Sequence, residues 1–114
     1  MSDSQILTAA EIKSIIDTAN AMADVAREVI LPRFRSNSLV TENKSLDSFD
    51  PVTDADKVAE KVMISELQKR RPTDGVFGEE FGELNGGSLY RWVLDPIDGT
   101  RAFIAGAPTW GVLI

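Results

Sequence analysis

Residues 92–103 read WVLDPIDGTRAF, an apolar run that ends in two carboxylates, Asp95 and Asp98, with Pro96, Gly99, Thr100 and Arg101 beside them. Two acids three positions apart, just after a strand, can converge on one hard cation, and the intervening turn offers a carbonyl as a further oxygen ligand. Backbone amides exposed at Gly99-Thr100, where the strand end turns, would seat a phosphate. The plain alternative is a turn, because Asp-Pro and Asp-Gly are ordinary turn dipeptides.

Two further acidic clusters bear on that choice. In Asp50-Pro51-Val52-Thr53-Asp54-Ala55-Asp56, Thr53 suits a helix N-cap, and Asp54 and Asp56 in the first turn complement the helix dipole. Asp54-Ala55-Asp56-Lys57-Val58 also fits D-x-D-x-[TV], the pattern of phosphatases that form an aspartyl-phosphate on the first acid. That chemistry wants its nucleophile just beyond a buried strand, and Ser48-Phe49-Asp50-Pro51 does not read as one, so this reading is set aside. Gly78-Glu79-Glu80 alone is an ordinary solvated turn. Three such points in one chain, however, supply the separated oxygen donors that a hard divalent cation needs.

Composition removes competing chemistries. The 114 residues contain no cysteine and no histidine, so a Ser-His-Asp triad, a thiolate nucleophile, a phosphohistidine and a zinc site built on Cys or His are all excluded within the chain. A net charge of −6 argues against nucleic acid as a partner, which usually requires a basic face. No apolar run approaches the ~20 residues of a membrane span, and no signal-peptide plan opens the chain. A cytoplasmic protein with no membrane partner is the expectation.

The elements that must position these acids follow from periodicity. Residues 1–7 are expected to be a loose leader, and Thr8-Ala9-Ala10-Glu11 after them has the form of a capping box. Ile12, Ile15, Ile16, Ala19, Met22, Ala23, Ala26, Val29 and Ile30 then recur at helical steps until Pro32. Residues 33–52 read as a polar connection with one short strand around Leu39-Val40. A second helix is predicted from about Thr53 to Arg70, with Ala55, Val58, Ala59, Val62, Met63 and Leu67 as its stripe, closed by Pro72 and Thr73-Asp74-Gly75. Val76-Phe77 and Tyr90–Leu94 are predicted strands, with a turn-rich loop from Gly82 to Ser88. Trp110–Ile114 reads as a core strand cut in mid-domain, since domain ends are usually polar and loose.

The order D-P-V-T-x-A-D, G-E-E, W-V-L-D-P-I-D-G-T-R-A-F closely resembles the inositol monophosphatase family of metal-dependent, lithium-sensitive phosphatases. The tail Arg101-Ala102-Phe103 with Gly106-x-Pro108-x-x-Gly111 looks most like its histidinol-phosphate phosphatase branch. The resemblance runs from about the first helix to Ile114. It implies an α+β fold, a layered αβαβα sandwich of the inositol monophosphatase/fructose-bisphosphatase type. Residues 1–114 would form its amino-terminal metal-binding part, with two packed helices on a mainly antiparallel sheet.

It also implies a site. Glu79, Asp95, the carbonyl of Ile97 and Asp98 would hold metal. Asp56 and Thr100 would be the catalytic pair that orients and deprotonates water. Gly99, Thr100 and Asp98 would contact the substrate, Glu80 would support the site, and Lys44 would lie on a loop that contacts a mobile magnesium. The implied cofactor is two or three Mg2+, with Mn2+ as a substitute and Li+ as an inhibitor. The implied partner is a small phosphate monoester, favoured as histidinol phosphate in histidine biosynthesis. Inositol monophosphate and nucleotide 3′-phosphates are the alternatives, and a homodimer is common in the family.

Members of the family are longer, and their second half supplies another metal-binding aspartate. A fragment of such a protein is therefore expected. A chain that truly ended at Ile114 would bind metal poorly and turn over little, and a non-catalytic half-domain acting in oligomerisation is the rival reading. The two phosphatase chemistries make opposite predictions. Metal-assisted hydrolysis expects Asp95→Asn or Asp98→Asn to lose more activity than Asp54→Asn, whereas an aspartyl-phosphate expects Asp54→Asn to abolish it. Phosphate release by the three variants decides between them.

Overall fold

The computed structural model describes residues 7–36, 41–43 and 51–114. The strand expected at Leu39-Val40, Lys44 and Asp50 lie outside the described residues.

Helix α1 spans Ala9–Ile30. Thr8 caps it as its sequence requires: Thr8 Oγ1 accepts from the Glu11 amide at 3.1 Å, and the Thr8 amide donates back to Glu11 Oε1 at 3.2 Å. Pro32 ends the helix through a single 3-10 turn, Leu31–Arg33. Strands β1, Thr41–Asn43, and β2, Pro51–Thr53, form an antiparallel ribbon that leads straight into α2, Asp54–Arg70. This corrects the reading that nothing strand-like precedes Asp54. Yet β2 is three residues long and, among the described residues, pairs only with β1 in a two-stranded sheet, so Asp54 does not sit at the end of a central strand.

The main sheet has the order β4-β3-β5-β6, with β3 at Gly75–Gly78, β4 at Gly82–Leu84, β5 at Arg91–Asp98 and β6 at Gly111–Leu113. Its two outer pairings are antiparallel and its central pairing, β3 with β5, is parallel. The segment from Gly82, expected as a loop, begins instead with β4. Gly82 takes φ +77°, which closes the β3–β4 hairpin in a conformation glycine adopts without strain. A short helix, α3 at Thr100–Ala105, joins β5 to β6.

Strand β5 is longer than its sequence suggested. Asp95 to Asp98 belong to the strand, and only Gly99 turns. Pro96 is accommodated because β3 ends at Gly78, level with Leu94, and the β5–β6 register shifts between Asp95 and Asp98.

α1 and α2 pack along each other, and the core joins Met22, Ala26 and Ile30 of α1 to Ala59, Met63 and Leu67 of α2, with Val76, Leu94 and Ile97 from the sheet. Ile12 and Ile16, expected in this core, are 43% and 53% exposed. The apolar stripe of α1 is covered only from its middle to its C-terminal end.

A polar knot closes the end of the sheet where β3 and β5 begin. The Asp74 carboxylate accepts from Ser88 Oγ at 2.7 Å, from Trp92 Nε1 at 3.0 Å and from Arg71 Nε. Arg71 also reaches Ser14 of α1 at 3.0 Å and stacks over the Tyr90 ring, whose hydroxyl donates to Glu11. Burial alone would raise the Asp74 pKa, but the bonds from Arg71, Trp92 and Ser88 outweigh it and hold the carboxyl below its ordinary value. A depressed folded pKa gives stability that is present above the unfolded value of about 3.9 and is lost as pH falls through the folded one. Urea unfolding at pH 7 should show Asp74→Ala destabilised by about 3–5 kcal/mol, the cost of leaving Arg71 without its partner. The gap should narrow as pH drops below about 4.

Candidate active site

Because β3 and β5 are parallel, both finish at the same end of the sheet. The Glu79 amide donates to the Leu94 carbonyl at 3.3 Å, extending the ladder one step beyond β3 and setting the backbones of Glu79 and Asp95 side by side. Alternation along the strands places Val76 and Leu94 in the core under the helices, while Phe77 and Val93 are exposed on the other face. Glu79 and Asp95 follow Phe77 and Val93 by two positions and so fall on that outer face, at its edge. Asp95 is half-buried, and Glu79 and Asp98 are exposed.

The N-terminus of α2 enters from the core side. Asp56 is 3% exposed, and its two oxygens do different work. Oδ2 accepts from the Thr53 amide at 2.8 Å and the Thr53 hydroxyl at 2.5 Å, completing a capping box. Oδ1 faces Thr100 Oγ1 at 3.1 Å, across 44 positions of sequence. The Thr100 hydroxyl is also 3.1 Å from the Ile97 carbonyl. It carries one hydrogen and has two acceptors within reach. Directed to Asp56, it leaves the Ile97 carbonyl open to another ligand; directed to Ile97, it frees the carboxylate oxygen.

Gly99 lets β5 turn into α3 within one residue. It has φ +92°, and a Cβ there would lie 2.9 Å from the Thr109 carbonyl oxygen. Thr100 is thereby brought back over Ile97. The aromatic rings of Phe34, Phe103 and Trp110, with centroids 5.1–5.3 Å apart, fix α3 from behind.

The residues singled out by sequence therefore fall into two groups. Asp56, Ile97 and Thr100 are in hydrogen-bond contact, and Glu79 and Asp95 are neighbours through their backbones. As the side chains stand, no three acidic groups among the described residues are close enough to hold a metal ion together. The donors are nonetheless of one chemical kind, carboxylates and a carbonyl, the set that suits Mg2+ rather than a softer ion. Asp54 is ion-paired to Arg33, Nε to Oδ2, at 3.2 Å, at the entry to α2.

One member went unread in the sequence. Glu60 is fully buried and accepts from the amides of Glu80 and Phe81. The signal was its place one turn after Asp56, in line with Met63, Ile64 and Leu67.

Comparison with known proteins supplies the relationship. The family model of the inositol monophosphatase family matches residues 11–114. The chain belongs to the inositol monophosphatase family. Within it, the chain is similar to the histidinol-phosphatase of Streptomyces coelicolor, 43% identical over 96 residues, which is 84% of this chain and 35% of the relative. It is 42% identical over 99 residues to that of Chlorobaculum parvum, covering 87% of this chain and 38% of the relative. The crystal structure of extragenic suppressor protein suhB from Bartonella henselae superposes with a TM-score of 0.79 at 32% identity, over 87% of this chain and 38% of that one. The mixed sheet with packed helices is thus the inositol monophosphatase type of fold. The chain spans between a third and two fifths of the length of these relatives.

Gly99→Ala should destabilise the fold by about 1–3 kcal/mol through its left-handed backbone alone, with the contact at Thr109 adding to that. Chemical denaturation against Gly87→Ala, where an added Cβ meets nothing within 4 Å, isolates the effect.

Proposed function

We propose that the protein to which this chain belongs is a magnesium-dependent phosphomonoesterase, with histidinol phosphate as its favoured substrate. The observation that carries the reading is the Thr100 Oγ1–Asp56 Oδ1 contact at 3.1 Å. A buried carboxylate held against a hydroxyl at a strand end is a proton acceptor in waiting. The histidinol-phosphatase relatives support the substrate, as does the R-A-F…G-x-P-x-x-G tail.

Glu79, Asp95, the Ile97 carbonyl and Asp98 would hold the cations. Bound there, divalent cations would offset the charge of a phosphate dianion and make water acidic enough to attack at neutral pH. Thr100 and Asp56 do the proton work. With its own hydrogen on Asp56 Oδ1, the Thr100 oxygen accepts a hydrogen bond from the attacking water and aims it. As the water oxygen bonds to phosphorus, its proton passes to Thr100 Oγ1 and the Thr100 proton passes to Asp56. The P–O bond to the alcohol breaks, and that oxygen takes a proton from solvent. The products are inorganic phosphate and histidinol, with no covalent protein intermediate. The first amides of α3, at Gly99 and Thr100, would seat the phosphate, since a helix's first N–H groups have no partner within it.

The cytoplasm, and a homodimer as the assembled form, are part of the same proposal. Inositol monophosphate and nucleotide 3′-phosphates are the competing substrates.

The test is phosphate release by the protein at its natural full length, with Mg2+ and after chelation. Release that requires Mg2+ and is fastest with histidinol phosphate is expected. Asp56→Asn should cut kcat by about 10²–10⁴-fold, the range for loss of a general base. No release from any of the three esters would overturn the reading and favour a non-catalytic half-domain that serves oligomerisation.

A further inference from the structure

Fully buried on α2 is a carboxylate to which the proposed mechanism gives no task. Glu60 has 0% of its surface exposed, and its head lies beneath the turn that follows β3. The Glu80 amide donates to both of its oxygens, at 3.0 Å and 3.1 Å, and the Phe81 amide donates to Oε2 at 2.7 Å. Successive amides that point into one concavity form an anion nest, the arrangement that elsewhere binds phosphate. Here the nest is filled from within by the protein's own carboxylate.

The residue above Glu60 is glycine for a steric reason. A Cβ on Gly78 would lie 2.1 Å from Glu60 Oε2 and 2.3 Å from its carboxyl carbon. The first letter of G-E-E therefore makes room for Glu60, and the amide of the last letter binds it. Between them stands Glu79, whose own amide is held by the Leu94 carbonyl. Three consecutive amides, 79 to 81, are thus fixed by two partners on either side of the strand end.

We infer that Glu60 is a positioning residue for the cation site: its carboxylate organises the 78–81 turn and so sets where Glu79 presents its side chain beside Asp95. The inference rests on the reading of Glu79 as a metal ligand. It also separates the two glutamates of the motif. Glu79 faces the chemistry, and position 80 contributes its backbone.

Glutamine is the discriminating replacement. It has the size of glutamate but only one acceptor oxygen, so its NH2 group must face an amide donor wherever it lies. In the full-length protein, Glu60→Gln should raise the Mg2+ concentration needed for half-maximal phosphate release by about 10–100-fold, the usual effect of losing an outer support of a metal ligand. KM for the ester at saturating Mg2+ should change little, and kcat should recover there. Calorimetric titration with Mg2+ in the presence of inorganic phosphate should show the same weakening without relying on turnover. Hydrogen exchange should quicken at the Glu80 and Phe81 amides.

Glu60→Asp, which keeps both acceptor oxygens, should fall between wild type and Glu60→Gln. Gly78→Ala, which forces the carboxylate aside, should reproduce the Glu60→Gln phenotype if the glutamine variant does not fold. Asp74→Asn, destabilised at the far end of the sheet, controls for stability and should leave the Mg2+ dependence unmoved. Unchanged Mg2+ affinity in a folded Glu60→Gln or Gly78→Ala variant would overturn the inference, as would wild-type protein that binds no Mg2+. A wild type that binds Mg2+ but releases no phosphate would instead sink the phosphatase reading, and the calorimetric comparison would still decide the role of Glu60.

Discussion

Helix α2 buries two carboxylates one turn apart, and the rest of the molecule is arranged to make that tolerable. Taking an ionised carboxylate out of water costs several kcal/mol, more than the roughly 1.5–3 kcal/mol gained by burying a neighbour such as Met63 or Leu67. Asp56 and Glu60 can face the core only if every oxygen finds a donor, and among the described residues no buried side-chain oxygen or nitrogen is left without a hydrogen-bond partner. Their donors come from three places: the cap at Thr53, the turn after β3, and Thr100 at the start of α3. The requirement to satisfy two buried carboxyl groups thus gathers three segments at one end of the sheet.

The opposite end and the rear of the site are held by different means. Asp74 ties the exit of α2 to Ser88 and to Trp92 on β5, and Arg71 reaches back to α1, so the beginnings of the central strands cannot slide past the helices. Behind α3, the rings of Phe34, Phe103 and Trp110 supply contacts worth about 0.5–1.5 kcal/mol per pair beyond their burial. Arg35, the one non-glycine among the described residues with positive φ, places its guanidinium 4.7 Å from the Phe34 ring centroid and donates to the Gly106 carbonyl at 2.9 Å. Thr100 therefore rides on a short helix braced at both ends.

Much of this was legible from local chemistry. The caps at Thr8 and Thr53 and the stop at Pro32 each express a preference of a few neighbouring residues, and they fold as read. The W-V-L-D-P-I-D-G-T run was legible as a strand leading to oxygen donors, but its proline does not end the strand. Pro96 lies within β5, because a proline is tolerated wherever no neighbouring strand needs an N–H at that position, and that is a property of the sheet. β4 was missed because three residues, Gly82–Leu84, carry too little pattern to announce a strand. Ile12 and Ile16 were over-read, since periodicity marks an apolar face without saying what covers it. Glu60 escaped because a charged residue on a helix is ordinarily solvated, and only the turn over Gly78 reveals otherwise. Asp56 shows that a helix cap and a long-range contact need not compete, as Oδ2 serves Thr53 and Oδ1 serves Thr100.

The pleat of β5 carries a further consequence. Leu94 and Asp95 point to opposite faces, so a slip of β5 by one residue against β3 would exchange them. A carboxylate would then enter the hydrocarbon layer under α1 and α2 while leucine surfaced in its place. Misregistered chains thus meet a steep penalty at Asp95, and the strand that carries this acid also proofreads its own alignment.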